Sequence, residues 1–351
     1  MKIFRSNFPA IVPALLLIAL SCVRSQTSAP VSHNQQDVSE QNEIASNARG
    51  NEEVVGIARI IDLPENGIQI LFNERQSPYI VTRENPEYAN IVRVARQALA
   101  ESKPVKLFST EPAVLNQLAV PTEAELRQYN ARIRMNLRNV DPVRTVNLRE
   151  ADSAVFNSVI AQNWKAFRLC RKIVPNLATA KAIFNYCKQQ ACIIGPTQEQ
   201  PCIPFQYVRD GCFARAHKMR LIIEKKFGYC TEKVFSFGSL LYVNASGGCC
   251  VNWWYHVAPL IRVEVVPGFQ MCYVIDPSMF TEPVPLLTWL VAQEDKTCNS
   301  AANFLSYSIQ PPAAYYPFSY PPGNTYATDN AYTDTNEKLV YYNTLGSTCP
   351  Q

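Results

Sequence analysis

Four hydrophobic patterns follow one another along the chain. The first is the apolar run FPAIVPALLLIAL, preceded by Lys2 and Arg5 and too short to span a bilayer comfortably. It predicts a secretory signal over residues 1–21. Cleavage would follow Ser21, or Cys22 would carry a lipid anchor, since ALSC loosely matches a lipoprotein box. The second pattern, over 22–52, is polar and low in complexity, SQTSAPVSHNQQDVSEQNEIASNARGN, and predicts a flexible linker with His33 as a solvated residue.

The third pattern begins near residue 53. EEVVGIARIID and GIQILFNE read as strands joined by the turn-rich LPENG. NPEYANIVRVARQALAES predicts a helix capped by Asn85, with Pro86 at its first position and Ile91, Val94, Ala95, Ala98 and Leu99 at helical spacing. PVKLF predicts a strand, and Thr122 with Glu125 can box the start of a second helix. The fourth pattern starts at about Lys172. It predicts helices near 177–190 and after Gly211, strands near 251–266 and 271–276, and a loop-like Tyr- and Pro-rich tail.

Composition narrows the class. Of 351 residues, 47% are hydrophobic and 18% charged, an ordinary globular balance with room for two modest domains. A net charge of +4 gives no reason to expect nucleic acid or an anionic membrane surface as partner. Twelve cysteines fit an oxidising, secreted or periplasmic destination. Losing Cys22 with the signal leaves an odd number, which asks for a free thiol. The adjacent Cys249 and Cys250 are expected to take separate partners, bracing the strand that follows.

Histidine and cysteine are absent from Glu53 through Leu169. A chemistry-poor region ahead of a chemistry-rich one suggests an inhibitory propeptide, 53–171, and a catalytic domain, 172–351. FRLCRKIVPN offers Arg168, Arg171 and Lys172 to a trypsin-like protease.

The chemistry centres on DGCFARAHKMR. Asp210 can cap a helix ending at Gly228, and Cys212 heads its buried stripe with Ala216, Met219 and Ile223. A thiol in a first helical turn meets unpaired N–H groups and the positive end of the helix dipole, which favour thiolate. Gly211 would let a substrate approach closely. A nucleophile needs a base and a group to orient it. His217 points roughly 140° away on the same helix and reads as structural. His256, on a strand face with Trp254, Ala258 and Leu260, is the credible base, and Asp276, ahead of a strand-ending proline, the orienting carboxylate. Cysteine, histidine and carboxylate in that order follow papain-like and transglutaminase-like logic.

DGCFARAHKMR, GGCCVNWWYHVAPLI and VIDPSMF together closely resemble the bacterial protein-glutaminases, from about Lys172 to AYYPFSYPPGNTYATDN. The preceding half resembles that family's propeptide in placement and size. The resemblance implies an α+β fold with a papain/transglutaminase-like core, a helix packed on an antiparallel sheet. It implies hydrolysis of glutamine side-chain amides in proteins or peptides, with Cys212, His256 and Asp276 as triad, and a proenzyme activated by proteolysis. No metal or organic cofactor is implied, and a monomer is expected. The backbone N–H of Cys212 would stabilise the oxyanion, with Trp253 or Trp254 as a second source and Gln206 ranked below them. Alternatives are a transglutaminase or cysteine protease on the same core, or a non-catalytic, disulfide-rich surface lipoprotein.

Overall fold

The computed structural model of the protein describes residues 51–109, 113–139, 170, 172–243, 250–298, 302–318 and 325–347. The predicted signal, Cys22, nearly all of the predicted linker, and Arg168 and Arg171 lie outside these residues.

The expected strand 52–62 is in fact two, β1 (Asn51–Val55) and β2 (Ile57–Leu63), which join different sheets. They part at Gly56. Its N–H donates to Glu74 Oε2 at 2.9 Å and its carbonyl accepts from the Asn73 N–H at 2.9 Å, so its polar groups leave the ladder. β3 (Gly67–Phe72) and β4 (Tyr79–Val81) follow, then α1 (Tyr88–Ala100), β5 (Val105–Ser109), β6 (Gln117–Ala119), α2 (Glu123–Asn136) and β7 (Leu137–Asn139). Sheets β2-β3-β4 and β1-β5-β6 enclose their own core with Ile91, Val94, Ala95 and Ala98 of α1. α1 starts later than its sequence suggests, at Tyr88. Asn85 Oδ1 instead accepts the Glu87 N–H at 2.8 Å in a local turn, which leaves Pro86 outside the helix. Leu99 is also outside the stripe, 38% exposed. The capping box on α2 forms as expected: Thr122 N–H donates to Glu125 Oε2 at 2.7 Å and Glu125 N–H to Thr122 Oγ1 at 3.3 Å.

The C-terminal region holds α3 (Leu177–Lys188), α4 (Cys212–Phe227), β8 (Glu232–Val243), β9 (Cys250–Val266), β10 (Phe269–Val274), β11 (Val284–Pro285), α5 (Leu286–Val291), β12 (Asn303–Gln310), β13 (Ala314–Pro317), β14 (Thr325–Thr328) and α6 (Thr333–Thr344). An antiparallel sheet in the order β11-β10-β9-β8-β12 forms its centre. α4 covers one face through Ala216, Met219 and Ile223, while Trp289 and Leu290 of α5 cover the other. The fold is thus α+β with the expected helix packed on an antiparallel sheet.

The Tyr-rich tail is not a loop throughout. Tyr315, Tyr316 and Tyr326 are buried, and their strands complete the core around Phe213, which meets Tyr315 edge-on at 5.1 Å. These strands carry no period-2 signal because almost every residue in them is buried, on both faces.

The two regions belong to one compact unit, Arg49–Gln351. β7 extends the β13-β14 sheet, and Ala58 and Leu71 join the core around α4. Disulfides link Cys170 to Cys230, Cys192 to Cys202 and Cys250 to Cys298, so Cys250 does not bridge to its neighbour Cys249. Cys170 falls on the propeptide side of the boundary expected at residue 171, yet it is tied to the C-terminal region. Among the described residues no helix is long and apolar enough to cross a membrane.

Candidate active site

α4 begins at Gly211, whose φ of 78° is left-handed. A Cβ there would sit 2.4 Å from the Tyr342 ring, so both the backbone conformation and α6 require the glycine. Asp210 does not cap the helix side-chain to backbone. Its Oδ1 accepts the Gly211 N–H at 2.8 Å and the Gln76 N–H at 2.9 Å. Cys212 follows as the first helical residue, buried, with its stripe intact.

His256 sits on β9. Its Nε2 is 2.8 Å from Asp276 Oδ2, so the carboxylate accepts Nε2–H and leaves Nδ1 as the free acceptor. The ring lies between two indoles, Trp253 at 4.3 Å and Trp289 at 5.3 Å, both nearly parallel to it. Trp254, predicted to share its face, packs in the opposite cluster. The β8–β9 register shifts between Phe237 and Leu240, which turns the strand over just before His256. Asp276 lies just beyond β10, as its proline suggested. Its Oδ2 also accepts Trp289 Nε1–H at 2.9 Å, and its Oδ1 accepts from the Ser278 hydroxyl and N–H. Burial alone would raise this carboxyl, but His256 and these donors outweigh it and hold it below the usual range.

The structure adds a residue outside the candidates named from the sequence. Gln76, in the turn between β3 and β4, is fully buried against the C-terminal region. Its Oε1 accepts the Cys212 N–H at 3.2 Å, and its Nε2 lies 3.2 Å from His256 Nδ1, to which it donates. The main chain around it is pinned as well. Trp254 N–H donates to the Gln76 carbonyl at 3.1 Å, Trp254 Nε1–H to the Arg75 carbonyl at 2.7 Å, and Ser77 Oγ to the Arg209 carbonyl at 2.6 Å. Arg75 Nη1 reaches the Tyr342 hydroxyl at 3.0 Å and Asp210 Oδ2 at 3.5 Å, while its Nη2 pairs with Glu53. Glu53 also binds Lys338 of α6 at 2.5 Å. The sequence holds one clue: a polar cluster, NERQS, directly after an apolar strand.

Of the oxyanion candidates, the Cys212 N–H thus meets an amide oxygen. Trp254 grips main-chain carbonyls, and Trp253 Nε1–H is bound to the Val208 carbonyl at 3.1 Å. Gln206 faces Asn343 at 3.3 Å instead. His217 lies apart from the site, as expected, between Lys233 Nζ at 2.6 Å and the Asp329 carbonyl at 3.0 Å.

Three cysteines among the described residues are free and buried: Cys187, Cys212 and Cys272. Cys212 alone meets this amide. Its thiol is not the low-pKa group that a first-turn position suggests. Burial pushes it well up, against the Arg215 guanidinium and the Val257 N–H, which both favour thiolate. Arg215, three residues along the helix, is buried and held by the Tyr207 and Asp210 carbonyls at 2.7 and 2.6 Å. Burial also lowers His256, though Asp276 opposes it. Both partners are therefore neutral in this covered state. Among the described residues no group of three or more His, Cys, Asp or Glu is arranged to hold a metal ion.

A helix-borne cysteine, a strand-borne histidine and a carboxylate just beyond the neighbouring strand place the fold in the papain/transglutaminase-like class. The comparisons with known proteins narrow it. A family model described as glutaminase matches residues 180–293, which contain Cys212, His256 and Asp276. A solved pro-protein-glutaminase is similar at 27% identity and TM-score 0.64, over 86% of this chain and 95% of that one. The A47Q2 mutant of pro-protein-glutaminase is similar at 26% and 0.63, over 86% and 96%. The protein-glutaminase from Chryseobacterium proteolyticum is 36% identical over 51% of this chain and 93% of its own, with a TM-score of 0.46. No curated protein matches. The chain belongs to the protein-glutaminase family, in a form that includes the pro-region.

Proposed function

We propose that this chain is the secreted zymogen of a protein-glutamine deamidase, with Cys212 as nucleophile, His256 as acid and base, and Asp276 as the group that orients His256. The observation that carries the reading is the docked carboxamide, with its oxygen on the Cys212 N–H and its nitrogen on His256 Nδ1. A substrate glutamine held the same way has its carbonyl polarised by a backbone donor and its leaving nitrogen beside the group that must protonate it. Cys212 would pass its proton to His256 and attack the amide carbon. His256 would protonate the departing ammonia, and water activated by the same imidazole would open the thioester to glutamate. One backbone oxyanion donor is worth about 3 kcal/mol in such a site.

The N-terminal region, bound across this cleft, would act as inhibitor. Proteolysis in the segment before Cys170 would release it, giving protein and peptide substrates access. The catalytic domain would then work as a monomer outside the cytoplasm, and Cys22 remains a candidate lipid anchor.

The test is ammonia release from casein before and after brief trypsin treatment, with Cys212→Ala alongside. The expected result is ammonia with Gln-to-Glu conversion only after trypsin, and none from the variant. Gln–Lys cross-links would make the chain a transglutaminase, and cut casein from wild type alone would make it a protease. A folded, cleaved and inert protein would leave the binding reading.

A further inference from the structure

We infer that Gln76 is itself a modification site, a glutamine that Cys212 deamidates within its own chain. The inference rests on the deamidase reading and goes one step beyond it. A plug needs only to fill the cleft, and a side chain of any chemistry could do so. This one is the substrate's own side chain in a reactive orientation. Asp276 fixes Nδ1 of His256 as an acceptor, so the amide is oriented with its NH2 to His256 and its oxygen to the Cys212 N–H. The reverse orientation would set donor against donor at Cys212 and acceptor against acceptor at His256. The backbone is held on both sides of the side chain, by Asp210 at the Gln76 N–H and by Trp254 at the Gln76 and Arg75 carbonyls. Such positioning replaces the loss of translational freedom that a separate substrate would bear.

The step balances with water as the only co-reactant. The Cys212 sulfur bonds to the Gln76 side-chain carbonyl carbon while its proton moves to His256 Nδ1. The carbon–nitrogen bond breaks, and that proton leaves with ammonia. Water then adds to the thioester, restoring the thiol and leaving a glutamate carboxylate at position 76 with ammonium in solution. Two features make this slow: the thiol is neutral while covered, and Gln76 is fully buried, so water reaches the thioester only when the turn lifts. Each chain turns over once. The product places a carboxylate where a neutral amide had been, in a buried residue whose main-chain N–H already meets the Asp210 carboxylate. Docking of the N-terminal region weakens as a result, and the zymogen acquires a clock that proteolysis does not set.

The experiment follows the full, uncut chain over days at neutral pH by peptide mass spectrometry. Wild type, Cys212→Ala and Cys212→Ser are run at several protein concentrations. The expected result is a Gln-to-Glu mass shift at residue 76, with one ammonia per chain. Its first-order rate should not depend on concentration, and both variants should lose it. Conversion in the variants at the wild-type rate would mean spontaneous hydrolysis and overturn the inference. A rate that rises with concentration would mean attack by traces of activated enzyme, and would also overturn it. An unconverted Gln76, in a preparation that deamidates casein once cut by trypsin, would overturn the inference while leaving the deamidase reading intact. If the cut enzyme too leaves casein unchanged, both fall together.

Discussion

Replacing Glu74 with glutamine should remove a pH dependence from the stability of the full chain. Glu74 stands two residues before Gln76, 2% exposed. Its Oε2 accepts the Gly56 N–H at 2.9 Å, its Oε1 accepts the Tyr129 hydroxyl at 3.2 Å, and Arg132 Nη2 is 4.0 Å away. Burial is the largest influence and lifts the carboxyl from 4.5 to about 7. Arg132 and the Gly56 N–H pull the other way without cancelling it, and Glu53 adds repulsion. A folded-state pKa above the unfolded one means that the native state holds a proton the unfolded state has released. Its stabilising share is therefore complete below pH 4.5 and lost as pH rises through about 7. At 1.36 kcal/mol per pH unit, that move corresponds to about 3 kcal/mol. Glu53 behaves oppositely. Burial would raise it, but Arg75, Lys338 and Arg132 bring it down to about 2, so its share is lost only in acid and leaves the neutral window untouched. Glu232 is lifted to about 7 by burial, but it is common to both proteins and cancels in their difference. The assay is urea unfolding of the Cys212→Ala chain with and without Glu74→Gln, from about pH 5 to about pH 8. Glutamine keeps the acceptor for Gly56, so the variant should gain on its parent by about 2.5 kcal/mol across that range. Parallel pH profiles would refute the reasoning and mean that Glu74 ionises without cost.

Other expectations concern catalysis and release. Asp276→Asn keeps the size of the side chain but loses the charge that fixes the His256 tautomer, so kcat in the trypsin-activated enzyme should fall by about 1,000-fold or more; a loss within about tenfold would remove Asp276 from the triad. The activating cut should fall before Cys170, because cutting after Arg171 or Lys172 would leave the N-terminal region bound through the Cys170–Cys230 disulfide. N-terminal sequencing of the active fragment, and gels with and without reductant, check this. Arg75 contacts Asp210 and Tyr342 of the catalytic side, so peptides with arginine before the glutamine should be preferred. Asp210→Asn should reduce that preference by about tenfold in kcat/KM. Iodoacetamide should alkylate Cys212 far faster after activation than before, since burial is the largest force holding the thiol neutral; equal rates would show that the N-terminal region does not control it.

The catalytic helix and strands are legible in the sequence because their signals are local. Gly211 and Gly228 bracket α4, its apolar stripe has a helical period, and Pro277 ends the run directly after Asp276. What is not legible depends on contacts far apart in sequence. Gly56 splits one apolar run into strands of two sheets because Glu74, eighteen residues on, takes its N–H. The tyrosines of the tail look like a surface loop until Phe213 and Phe235 pack on them. Gln76 is 136 residues from Cys212, and no periodicity links a turn in one region to a helix terminus in another. The Cys212 pKa departs from expectation for the same reason. The helix terminus is visible in the sequence, but the burial that outweighs it is a property of the assembled core.

Burial also bears on how the proposed zymogen would stay silent. Steric cover alone would leave a charged, reactive pair behind the plug. Burial acts on both partners in the sense that opposes the ion pair: the Cys212 thiol is raised and the His256 imidazole lowered, and the Gln76 side chain lies against both. The features that favour thiolate belong to the catalytic region itself: the first turn of α4, the buried Arg215 beside it and the Val257 N–H. These features lie outside the N-terminal region and would remain if it left. On the proposed reading, removing the N-terminal region would open the site to glutamine and return water to Cys212 and His256. Activation on this reading needs no rearrangement of the catalytic residues, only the return of water to one face of them.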